Sequence, residues 1–134
     1  MYKLYILFAY ICLFCLGLLD NSRGPLYQEI LNYFNIKPNI GSLLFSSSAI
    51  SAFLISIFAG RIIQKFSLFR PSQFALLAYA LSAILLSYAP ANTTGLLIVL
   101  SASFILGVGV GIHSVTVNLM ITDYAGDSSR RKLF

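Results

Sequence analysis

The stretch I-G-S-L-L-F-S-S-S-A-I-S-A-F-L-I-S-I-F-A-G-R-I-I, Ile40 to Ile63, carries no charge before Arg61. Its 24 residues make about 36 Å of helix, enough to cross the hydrocarbon of a bilayer. Small residues recur along it every four positions, at Ser48, Ala52, Ser56 and Gly60. Helices in lipid gain nothing from burying apolar surface against one another, so small residues that let backbones approach take over that role. The stretch reads as a membrane-spanning helix with one face reserved for another helix.

Three more runs of the same kind surround it. One covers about Pro71 to Tyr88, with Pro71 suited to a first helical turn and Pro90 just past the end. Another covers about Gly95 to Ile121, with small residues at Ser103, Gly107 and Gly111. The first run is continuously apolar only from Leu4 to Leu19, too short for a span, but Leu26, Ile30, Leu31, Tyr33 and Phe34 continue a helical pattern. A helix over about 4–34 is therefore expected, with Gly24-Pro25 inside it as a kink. No A-x-A-like cleavage site follows the first run, so it is expected to remain a membrane helix rather than act as a signal peptide. The fold class is an all-α membrane protein of four transmembrane helices, one membrane domain over 1–134 with no soluble domain.

Composition agrees. Of the 134 residues, 58% are apolar and 10% charged, against about 45–50% and about 25% in soluble domains. Nine Lys and Arg face four Asp and Glu, but the basic residues sit between apolar runs and form no groove or stacking platform for nucleic acid. They fit membrane topology. With the N-terminus in the cytoplasm, Lys3, Arg61, Lys65, Arg70, Arg130, Arg131 and Lys132 lie inside, and Arg23 and Lys37 outside. Both termini are thus expected in the cytoplasm, in a plasma (inner) membrane. Cys12 and Cys15 lie within the first run as apolar filler, and with one distant His113 they make no metal site. No cofactor is implied. With no catalytic polar cluster, an enzyme is not expected.

The polar residues inside the spans carry the functional reading. Asn21, Gln28 and Asn32 align with Gly17 along one face of the first helix, with Asp20 beside them. Charge at membrane depth costs about 2.5–3.5 kcal/mol on insertion scales, so such groups face a cavity or a partner. Asp20 and Arg23, three apart, can pair. Asp20, Asn21, Arg23 and Gln28 are read either as a substrate or ion pathway in a water-filled cleft or as an anchoring ion pair near the outer interface. Asn118 lies about 20° from Gly107 around the fourth helix and is expected in the same packing seam as Gly60, Gly107 and Gly111. His113 points about 200° from Gly111, so the fourth helix is expected to meet protein or cavity on two sides, with His113 either structural or part of the pathway. At the inner face, Asp123 can latch to Lys65 or Arg70, or to Arg61, unless these are simply solvated charges.

The chain resembles the first third of a major facilitator superfamily transporter. G-L-L-D-N-S-R-G-P, Gly17 to Pro25, is similar to the Asp- and Gly-Pro-bearing first helix of many members. N-I-G-S-L-L-F-S-S-S, Asn39 to Ser48, resembles the start of their second helix. G-R-I-I-Q-K-F-S-L-F-R, Gly60 to Arg70, sits at the family's loop signature, with Gln64 in place of its Asp and Ser67 in place of its Gly. G-V-G-V-G-I-H-S-V-T-V-N, Gly107 to Asn118, resembles the glycine-rich fourth helix. The resemblance implies a bundle built from three-helix inverted repeats, of which this chain would supply one and the first helix of the next.

It also implies secondary transport of a small solute by alternating access, with protons as a candidate coupling ion. The partners implied are the lipid bilayer, the solute and the remaining helices of a larger transporter, or self-association. Two other readings stand beside it: a non-transporting four-helix membrane protein or truncated product, and a compact dimeric four-helix exporter using Asp20 as its membrane-embedded acid.

Overall fold

The computed structural model describes residues 2–66 and 69–130, and within these all side chains but those of 2–5, 20, 64 and 123–130. The described residues form four helices: α1 (Tyr2–Phe34), α2 (Pro38–Phe66), α3 (Phe69–Ser87) and α4 (Thr93–Arg130). All four are long and apolar enough to cross a membrane. Against the expected bounds, α2 begins two residues earlier, at Pro38, whose fixed φ suits a first helical turn. Helix α4 continues beyond Ile121 to Arg130.

Local chemistry sets the ends. Helix α1 stops where Asn35 takes a left-handed φ of 50°, a conformation Asn tolerates better than most residues. The Ile36 amide then donates to the Leu31 carbonyl at 3.1 Å, satisfying an orphaned acceptor of the last turn. At the start of α4 the Asn92 side chain accepts from the Gly95 amide at 2.8 Å, a helix N-cap. Pro25 lies inside α1, as the sequence predicts, without ending it.

Helix α4 is the centre of the bundle. It packs mainly against α2 and α3, and α1 packs on it far more than on α2. Near the start of α1, Ala9 and Cys12 form a buried cluster with Val117 and Met120 of α4. Toward the other end Ile30 and Phe34 pack on the cluster of Leu44, Ala89 and Val99. Large apolar side chains such as Phe14, Phe53, Ile57 and Leu77 stay exposed on the outside of the bundle, as lipid-facing positions require.

Candidate functional site

The α2–α4 seam is built on glycine. A Cβ on Gly107 would meet the Ser48 carbonyl oxygen and the Ser51 hydroxyl, and one on Gly111 would meet Ile55 and the Ala52 carbonyl oxygen. Ser51 is itself satisfied, donating to the Ser48 carbonyl at 3.0 Å. The seam departs from the four-residue repeat. Gly60 has open space around it, and Asn118 is exposed rather than in the seam. A strict four-residue repeat drifts about 40° per step around the helix, which puts Gly60 about 120° from the Ser48 face, and the neighbouring Ala59 is the residue fully buried there. Near Asn118, Val117 and Met120 of α4 pack with Ala9 and Cys12 of α1.

The opposite face of α4 holds α3. The Ser82 hydroxyl donates to the Ala102 carbonyl at 2.9 Å. A Cβ on Gly109 would lie 2.7 Å from the Tyr79 ring and 3.1 Å from the Ala75 carbonyl oxygen. The missing side chain is the notch that seats Tyr79. One turn further along α4, His113 stacks on the same ring, with centroids 5.7 Å apart and planes 30° from parallel. Helix α4 therefore meets protein on two sides, and His113 is buried against α3.

Between its two anchor points on α4, α1 leaves a cleft of about 260 Å³ bordered by all four helices. Leu19, Ser22, Arg23, Leu26, Tyr27 and Ile30 of α1 line it, facing Leu44, Phe45 and Ser48 of α2. Tyr79, Ser82, Ala83 and Leu86 of α3 and Ser103 and Leu106 of α4 close the back. Arg23 is half-buried and donates from its guanidinium to the Ser48 hydroxyl at 3.0 Å. Ser48 thus serves both the seam, through its carbonyl, and the cleft, through its hydroxyl. The chemistry on offer is a mostly apolar wall with hydroxyls and one guanidinium, the pattern of a small-molecule site.

The residues expected along the pathway divide. Arg23 lines the cleft. Asn21 and Gln28 are exposed on another face of α1, where a Cβ added to Gly17 or Gly24 would meet nothing within 4 Å. Asn21 donates from its amide to the Gly17 carbonyl at 2.7 Å, a local bond that leaves its carbonyl oxygen available. The Asp20 side chain lies outside the described residues, and with it the expected pair to Arg23. The Asp123 side chain does too, so of the residues expected to form a latch only the basic ones are described: Lys65 is exposed 5.5 Å from the Phe66 ring centroid, and Arg70 is exposed. Tyr79 and Ser82 have no counterpart among the expected site residues. The signal for Tyr79 is Gly109, which sits about 200° around α4 from Gly107 and so marks a second close neighbour.

The family model described as Major Facilitator Superfamily matches residues 2–134. No curated protein matches, and no solved structure does.

Proposed function

The chain belongs to the major facilitator superfamily, and on that footing we propose that it serves secondary transport of a small solute by alternating access. The observation that carries the reading is the cleft between the four helices, where the Arg23 guanidinium and the Ser48 hydroxyl meet in an otherwise apolar wall. A group able to hydrogen-bond at one point, on a largely apolar body, fits that lining. With the N-terminus in the cytoplasm the cleft lies in the outer half of the plasma (inner) membrane, and both termini lie on its cytoplasmic side. Asp20 stands next to this wall in sequence and is the natural site for a coupling proton.

The second surface of α1 supports a larger assembly. Inverted repeats give α1 and α4 equivalent places, and α4 is flanked by α2 and α3. By that symmetry α1 takes two helices of a second repeat. Its face of Asn21, Gly24 and Gln28, exposed, with Gly17 half-buried beside them, fronts protein or the aqueous path rather than lipid, which poorly tolerates such a face.

Ser22→Cys tests the path, in a chain with Cys12 and Cys15 replaced by serine. A membrane-impermeant maleimide added to the outer face of intact cells modifies the new thiol. A thiol that stays unreactive there refutes an aqueous route to the cleft.

A further inference from the structure

His113 is 1% exposed, and among the described residues neither ring nitrogen has a hydrogen-bond partner. Leaving a buried polar group unmatched is costly, and neutral imidazole carries both a donor and an acceptor. An apolar side chain would fill the position without that cost. The ring rests on Tyr79, and Tyr79 lines the cleft. One aromatic residue therefore belongs both to the cleft wall and to the packing of the buried imidazole.

We infer that His113 is a proton-binding site acting through Tyr79 in opposition to the cleft, so that a proton on the imidazole and a solute in the cleft disfavour one another. The inference rests on reading the cleft as a solute site. A buried imidazolium needs a counter-charge or water. On α3, Tyr79 touches the ring and Arg70 lies exposed near the helix start. On α2, Arg61 and Lys65 are exposed, and on α1 Cys12 is buried against Val117. The Asp123 side chain, further along α4, lies outside the described residues. Glu29, the only acid among the described side chains, is exposed toward the far end of α1. No described acid is thus at hand to hold the cation in the closed seam.

Ser72, also 1% exposed and without a hydrogen-bond partner among the described residues, lies three residues before Ala75 on the same seam. Proton uptake from water onto a ring nitrogen therefore requires the α3–α4 seam to hydrate, which displaces Tyr79 from its notch at Gly109. Release returns the proton to water as the seam closes. A solute filling the cleft holds Tyr79 in place and keeps the imidazole neutral. Linkage makes the effect reciprocal: each occupant weakens the other by the same factor.

The chain has one histidine and no tryptophan, so both partners can be watched separately in the full chain in lipid nanodiscs. Ring-labelled histidine followed by NMR from pH 8 to pH 5 reports protonation of the native chain directly. In Tyr79→Trp, the only indole becomes more accessible to acrylamide with the same midpoint, and adding His113→Gln removes that pH dependence. Ser22→Cys alkylated with N-ethylmaleimide, with Cys12 and Cys15 replaced, fills the cleft and weakens proton binding about tenfold, moving the histidine midpoint down by about one pH unit. Histidine signals that stay constant across the range overturn the proposal, as does the same acrylamide transition with His113→Gln. An unchanged midpoint after alkylation overturns the linkage alone. A thiol that cannot be alkylated overturns the cleft reading and the linkage with it, and leaves the histidine titration standing as a separate result.

Discussion

Arg23 and Ser48, 25 residues apart in sequence, meet at 3.0 Å between a guanidinium donor and a hydroxyl acceptor. The bond joins α1 to α2, whose backbones approach little, beside the Tyr27 hydroxyl's bond to the Pro38 carbonyl at 2.7 Å and the Tyr27–Phe45 ring contact. Hydrogen bonds to a charged group contribute about 1.5–3 kcal/mol. Ser48→Ala removes the acceptor while leaving the backbone carbonyl that faces Gly107. It is expected to lower stability by about 1–2 kcal/mol, read as a lower midpoint of helix loss on heating in detergent. An unchanged midpoint would show that the bond contributes nothing to the fold.

Gly107 and Gly60 make a matched pair. A Cβ on Gly107 meets the Ser48 backbone carbonyl, which cannot rotate away, whereas Gly60 has open space. Gly107→Ala is expected to destabilise by about 1–3 kcal/mol through overpacking. Gly60→Ala is expected to be neutral or to stabilise by up to about 1 kcal/mol, the difference in helix propensity. The same heating experiment compares them, and equal losses at both positions would place the seam elsewhere.

The basic residues predict the topology. Reporter fusions at Lys37, Phe66, Asn92 and after Phe134 are expected to read outside, inside, outside and inside. An outside signal at Phe66 reverses the orientation and moves the cleft to the inner half of the membrane.

The two exposed faces of the bundle differ in chemistry and so in wetting. Asn21→Cys, on the polar face of α1, is expected to react with a membrane-impermeant thiol reagent once Cys12 and Cys15 are replaced. Ile50→Cys, among the exposed apolar positions of α2, is expected to stay unreactive, because a thiol in hydrocarbon does not ionise. Equal protection at both positions would mean that α1's polar face is covered by protein instead of water.

The four helices and the glycine contacts at Gly107 and Gly111 are legible in the sequence, because length, hydropathy and small-residue spacing are one-dimensional signals. The run through Pro25 is legible for the same reason, since apolar and aromatic positions keep helical spacing on both sides of it. Gly60 misleads because a four-residue spacing drifts about 40° per step on a helix of about 3.6 residues per turn, and Asn118 because α4 beside it packs on α1 through Val117 and Met120. Tyr79 and Ser82 escape for a different reason. In a soluble helix the core face is apolar and the other polar, but in lipid both faces of α3 are apolar and periodicity carries almost no information. Arg23 is legible as a residue that resists lipid, whereas its partner Ser48 looks like one more small packing residue until the helices are assembled.

Pro25 has a mechanical consequence. Lacking an amide hydrogen, it cannot bond to the carbonyl of Asn21 four residues earlier, so α1 loses one rung of its ladder beside the cleft. The helix is pinned to α4 below this break through Ala9 and Cys12, and packs above it through Ile30 and Phe34. A strut fixed at both ends and weakened in the middle yields by bowing. Bowing at Pro25 would widen or narrow the space beside Arg23 while both pinned ends keep their packing, giving the cleft an elastic wall on one side and the glycine-locked α2–α4 pair as the rigid wall on the other.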